Sequence, residues 1–95
     1  MNNNQILGAL ALDLRRVAQG YYRGSEAMAS RFAKEAKARK IELQNVEIKD
    51  YIFKLLSKMD KMLEQKDHKK LAEDALMYSV LFQNAAMNSP LDSRE

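Results

Sequence analysis

The sequence predicts an all-α fold, a small antiparallel up-and-down four-helix bundle. Apolar residues recur every three or four positions along four separate segments, which is the period of an amphipathic helix. The 95 residues include only three glycines and one proline, so long helices meet few breaks. A three-helix bundle, in which the second and third helices join into one long central helix, is the alternative.

The first helix is predicted over residues 4–22. Its apolar stripe consists of Ile6, Leu10, Leu14, Val17 and Tyr21. Gly24 suits the left-handed backbone that follows many helices, and Ser25 suits the N-cap of the next helix. Asp13 is expected to pair with Arg16, three residues later on the same helix.

The second helix is predicted over residues 26–42, where Met28, Phe32 and Ala36 form an apolar line. Ala29 and Ala33 lie beside this line and are small enough to let a neighbouring helix come close. A break is predicted near residues 43–45, because the phase of the apolar pattern changes there.

The third helix is predicted over residues 47–65 and has the clearest pattern. Its apolar positions alternate steps of four and three: Ile48, Ile52, Leu55, Met59 and Met62. This seam is too short for a long coiled coil, so it indicates packing within a bundle.

The fourth helix is predicted over residues 68–88, with Asp67 as its cap. Its inward stripe consists of Leu71, Ala75, Tyr78, Phe82 and Ala85. Pro90 ends the segment, because the residue before a proline is pushed out of the helical region. The sequence therefore predicts one helical domain over residues 1–88 and a flexible tail over residues 89–95.

The composition argues against several classes of protein. There is no cysteine, so neither a disulfide framework nor a thiolate nucleophile is expected. The first residues place no basic side chain ahead of the apolar run, which argues against a signal peptide. No apolar stretch approaches the ~20 residues that span a bilayer. A cytoplasmic protein without membrane contact is expected.

No motif for catalysis, for a cofactor or for a metal ion is evident, so a non-enzymatic protein is expected. His68 is the single histidine. Glu64 lies four residues before it, but a carboxylate-bridged metal site in a bundle needs a Glu-x-x-His motif on each of two helices. The carboxylates lie among lysines as solvent-facing partners, and no raised carboxyl pKa is expected.

Basic residues concentrate between residues 23 and 40, where six of them stand against Glu26 and Glu35. The formal net charge of +3 permits contact with nucleic acid without demanding it. A nucleic-acid-binding accessory protein that uses the second helix is therefore the alternative function. The candidate phosphate contacts are Arg16, Arg23, Arg31, Lys34 and Lys37.

Apolar residues outside the predicted core are the strongest functional signal. The segment 75–87 is apolar nearly all round its helix, which is unusual for a helix with one buried face. The predicted interface residues are Leu76, Met77, Val80 and Leu81, with Phe53 and Leu12 as extensions. Self-association or binding to another protein is the leading function. A homodimer is favoured, because a two-fold axis needs only one self-complementary patch.

Overall fold

The computed structural model describes residues 2–43 and 48–87. Within them the chain forms four α-helices: α1 (Asn3–Tyr22), α2 (Glu26–Glu42), α3 (Asp50–Leu63) and α4 (His68–Met87). The helices form a bundle 43 Å long and 23 by 21 Å across. The predicted all-α four-helix fold is confirmed. Most of the predicted break after α2 and the whole predicted tail, residues 89–95, lie outside the described residues.

The turn between α1 and α2 is built by two glycines and a serine. The Ser25 amide donates to the Gly20 carbonyl at 2.7 Å, and the Gly24 amide donates to the Tyr21 carbonyl at 3.1 Å. Gly24 has a φ of 76°, the left-handed value that completes this type of helix end. Ser25 Oγ then accepts a hydrogen bond from the Met28 amide at 3.2 Å and caps α2.

Side-chain hydrogen bonds stabilise the connection between α3 and α4. Gln65 Nε2 donates to the Met62 carbonyl and to Asp74 Oδ2, each at 2.9 Å. Asp67 Oδ1 accepts from the Lys70 amide at 3.1 Å, which confirms its predicted role as the cap of α4. These bonds end α3 at Leu63, two residues before the predicted limit.

Small residues set the spacing of α1 from its two main neighbours. The backbone of α1 makes its closest approaches to α4 and α2. On α1, Ala11 and Ala18 are buried seven residues apart, and on α4, Ala72 and Ser79 are buried with the same spacing. Residues seven apart lie on the same side of a helix, so each of these helices has one buried side lined by small residues.

Helix α3 covers the bundle with large side chains instead. Ile52, Leu56, Met59 and Met62 are buried, whereas Leu55, placed on the predicted stripe, is only half-buried. Close backbone approaches of α3 to α4 and α2 are few, as expected where Leu, Ile and Met separate the helix axes.

The helices alternate in direction. The rings of Tyr21, near the end of α1, and His68, at the start of α4, lie 4.5 Å apart. Helices α2 and α3 are joined by Lys37–Glu64 and Lys40–Asp60, so numbers fall along one helix as they rise along the other. This order corresponds to the predicted up-and-down bundle.

Gly20 and Gly8 provide a matched pair of stability tests on α1. A Cβ at Gly20 would lie 2.7 Å from the backbone nitrogen of Ala29, whereas a Cβ at Gly8 would meet no atom within 4 Å. We expect Gly20→Ala to lower the free energy of unfolding by ~1–3 kcal/mol through overpacking. Gly8→Ala should raise it by ~0.5–1 kcal/mol, because alanine favours a helix interior. Urea unfolding of both variants measures the contrast, and equal effects would contradict the close approach of α1 to α2.

Candidate functional site

The outer face of α4 carries a cluster of exposed apolar side chains. Leu76, Met77, Val80 and Leu81 keep 37–51% of their surface exposed. They point away from the inward stripe of the same helix, whose five predicted members are all buried. We call these four residues the α4 patch. Whether the patch is an interface stays a prediction, but its position on the surface is clear.

Leu12 of α1 lies beside this helix. Together with Ala11, Arg15, Ser79 and Gln83 it lines an open groove of about 170 Å³ between α1 and α4. Ser79 and Gln83 alternate along α4 with Leu76 and Val80, so the groove adjoins one edge of the α4 patch. The structure therefore brings Leu12 together with the α4 patch.

Phe53 lies elsewhere on the bundle, although it is 63% exposed. It precedes Asp60 by seven residues and shares its side of α3, and Asp60 contacts Lys40 of α2 at 3.1 Å. Phe53 thus lies on the side of α3 that faces α2, not on the side that faces α4. The structure does not bring it together with the α4 patch.

Met87 is an exposed apolar residue that the sequence interpretation left out, with 67% of its surface accessible. It follows Val80 by seven residues and therefore continues the α4 patch by two turns. That spacing is visible in the sequence, but Met87 stands beside the predicted helix end, where its orientation is hard to judge. The apolar surface extends along most of α4.

Three of the basic residues on α2 are engaged in ion pairs. Lys37 Nζ lies 3.6 Å from Glu64, and Lys40 Nζ lies 3.1 Å from Asp60. Arg39 lies 3.7 Å from Asp13 and 3.6 Å from Glu42. The local excess of positive charge read from the sequence is therefore largely neutralised, and Lys37, a predicted phosphate contact, is turned toward α3.

The other predicted phosphate contacts remain on the surface of the α1–α2 pair. The guanidinium carbons of Arg16 and Arg31 lie 5.1 Å and 5.3 Å from the centroid of the Phe32 ring. Arg23 and Lys34 are exposed nearby along the same two helices. Phe32, predicted as a core residue, is half-buried. It packs against the core, and the guanidinium groups of Arg16 and Arg31 lie over its ring.

Asp13 differs from the sequence expectation in partner and in environment. It is buried, with 6% of its surface exposed, and its ion-pair partner is Arg39 of α2. Burial raises the pKa of the Asp13 carboxyl above its usual value, and the nearby Glu35 acts in the same direction, whereas Arg39 and Arg16 lower it. The expectation that no carboxyl pKa is raised was wrong, because a neighbouring helix covers Asp13.

The His68 and Tyr21 rings lie 4.5 Å apart and are tilted by 32°, and His68 Nδ1 lies 4.0 Å from a Glu26 oxygen. It thus links the start of α4 to the turn between α1 and α2. Among residues 2–43 and 48–87, no three potential metal ligands lie close enough to hold an ion. Over the same residues, no helix has both the length and the apolar character needed to cross a membrane.

The chain was compared with models of known protein families, with curated proteins and with solved structures, and none of them matches.

Asp13→Asn tests the buried carboxyl by its pH dependence. Above the raised folded-state pKa, the ionised native Asp13 bears the cost of burial. As the pH falls through that pKa toward the usual value of 3.8, the native carboxyl takes up a proton before the unfolded one does. We therefore expect the wild-type protein to gain stability relative to Asp13→Asn over this range, measured by urea unfolding at several pH values. A difference that does not vary with pH, or that varies in the opposite sense, would contradict the raised pKa.

Proposed function

We propose that the protein is a non-enzymatic self-association module that forms a homodimer through the α4 patch. The observation that carries this proposal is the exposure of four adjacent large apolar side chains, Leu76, Met77, Val80 and Leu81, on one helix face. Single exposed apolar residues are common on protein surfaces, whereas a contiguous apolar patch is typical of an interaction surface.

The residues of the α4 patch do not belong to the core of the bundle. The inward side of α4 is filled by Leu71, Ala75, Tyr78, Phe82 and Ala85, all buried against the other helices. Fully burying one more large apolar side chain stabilises a protein by ~1.5–3 kcal/mol, and the patch residues obtain only part of this in the monomer. A partner surface over α4 would supply the rest.

A second copy of the chain suits this surface because the patch is uncharged. No Asp, Glu, Lys or Arg occurs between residues 75 and 87. Across a two-fold axis each patch meets its own copy, so a charge near the axis would repel itself and an uncharged patch avoids that cost. Gln83 and Asn84, exposed on the same helix, each carry donors and acceptors and can therefore pair with their own copies.

A groove beside Leu12 borders the α4 patch. Leu12 and Arg15 of α1 line one side, and Ser79 and Gln83 of α4 line the other. A side chain from a partner can enter this groove while the α4 patch is covered. A protein of a different sequence that offers such a side chain is the alternative occupant, and the mass of the purified protein separates the two cases.

Opposite charges placed in the α4 patch should dissociate the dimer. We expect Met77→Lys combined with Leu81→Glu to convert a wild-type dimer into a monomer at high micromolar concentration, because removing the two new charges from water would cost more than their mutual attraction returns. Light scattering measures the mass, and circular dichroism checks that the helices persist.

The control places the same charges on the outer face of α2. Ala38→Glu combined with Ile41→Lys changes two exposed residues, keeps the net charge and should leave the dimer intact. A wild-type protein that is monomeric at high micromolar concentration would refute self-association. If the Met77/Leu81 variant unfolds rather than dissociates, these side chains belong to the core and the proposal is wrong.

A further inference from the structure

The α1–α2 surface holds two arginines on a single aromatic ring. Arg16 comes from α1 and Arg31 from α2, and their guanidinium carbons lie 5.1 Å and 5.3 Å from the Phe32 centroid. The ring belongs to a half-buried residue that packs against the core. The fold itself thus holds both guanidinium groups against one ring, each within 5.3 Å of its centroid.

Neither arginine is neutralised as Lys37, Arg39 and Lys40 are. Lys37, Arg39 and Lys40 each have a carboxylate within 3.7 Å. For Arg16 and Arg31, no ion pair within 4.0 Å occurs over residues 2–43 and 48–87.

In the described part of the chain, the acidic residues nearest to Arg16 and Arg31 do not form ion pairs with them within 4.0 Å. Asp13, whose carboxyl pKa Arg16 helps to lower, is buried and lies 3.7 Å from Arg39. Glu35 is the exposed acid in the neighbourhood, four residues after Arg31 on α2. The two guanidinium groups therefore keep an attraction for an external anion, and Glu35 weakens it.

Packing against an aromatic ring pre-orients a guanidinium group for binding a phosphate. The ring attracts the cation through its face and limits the motion of the side chain. The edge of the planar group keeps its N–H donors, which match the spacing of phosphate oxygens. Each arginine on this ring can therefore hold a phosphate with less loss of side-chain freedom than a free arginine would suffer.

Further cations extend this pair into a row. Arg23 follows Arg16 by seven residues, ~10 Å along the exposed side of α1, and Lys34 follows Arg31 by three residues on α2. A row of this length fits successive phosphates of a strand better than one isolated phosphate. A single strand suits it best, because its flexible backbone can bend to reach both helices.

We propose that Arg16 and Arg31, positioned by Phe32, bind backbone phosphates of single-stranded nucleic acid on the outer surface of α1 and α2. Arg23 and Lys34 contact neighbouring phosphates of the same strand. This site is built on α1 and α2, whereas the α4 patch is built on α4, and the two proposals are tested by different variants.

The test is the salt dependence of binding to a fluorescent twelve-nucleotide poly-thymidine strand, followed by anisotropy between 50 and 200 mM NaCl. Each phosphate contact on a single strand contributes about 0.7 to the slope of log K against log salt. Arg16→Gln combined with Arg31→Gln should therefore reduce the slope by about 1.4 and weaken binding most at low salt. Phe32→Leu, which keeps an apolar side chain but removes the ring, should weaken binding while both arginines remain.

A matched control removes two charges from another helix. Lys58→Gln combined with Lys61→Gln alters exposed lysines of α3 and lowers the net charge by the same amount. We expect it to leave the slope nearly unchanged, and Glu35→Gln should tighten binding because it removes the opposing acid. Circular dichroism and thermal unfolding establish that each variant is folded.

Three results would overturn the proposal. The first is a wild-type protein that does not bind the strand at 50 mM NaCl. The second is an equal loss in the arginine and lysine variants, which would indicate attraction by net charge alone. The third comes from titration with inorganic phosphate: if it saturates the arginines and the strand binds no more tightly than phosphate, the site takes a free phosphate and not a strand.

Discussion

The contact between the backbones of α1 and α2 at Gly20 sets the geometry of the whole bundle. With no Cβ on Gly20, α1 meets Ala29 directly, and the Gly20 carbonyl also accepts the hydrogen bond that starts the turn into α2. One residue thus fixes both the distance between the two helices and the direction of the chain that joins them. The buried alanines of α1 and α4 extend the same close packing to the second neighbour, which places α1 at the centre of the fold.

This close packing determines which surfaces are left for partners. Helices drawn together by small residues leave a thin core, and within residues 2–43 and 48–87 the outer face of α4 stays exposed. Helix α4 buries one side against α1 and α3, so its second apolar side, from Leu76 to Met87, stays in solvent. The proposed dimer would cover this side of α4.

Charge is distributed by the same contacts. Because α3 lies along part of α2, Lys37 and Lys40 are paired with its acids, and Arg39 reaches the buried Asp13. The Lys37–Glu64 and Lys40–Asp60 ion pairs are partly exposed, so they add little to the free energy of unfolding. They nevertheless join α2 to α3. Over residues 2–43 and 48–87, Arg16 and Arg31 lie against the Phe32 ring with no carboxylate oxygen within 4.0 Å of their guanidinium nitrogens.

The sequence by itself determined the helices, most of the core and the existence of an excess apolar face. Periodic patterns such as Leu71, Ala75, Tyr78 and Phe82 need only the geometry of a single helix, and the caps at Ser25 and Asp67 depend on residues within one turn. Tertiary structure alone decided which side chains meet across helices. In the bundle, Asp13 is buried and paired with Arg39, and Phe53 lies on the side of α3 that faces away from α4. Arg16 and Arg31, from different helices, both lie against the Phe32 ring. The physical reason is that these contacts depend on the spacing and rotation of neighbouring helices, which periodicity within one helix does not encode.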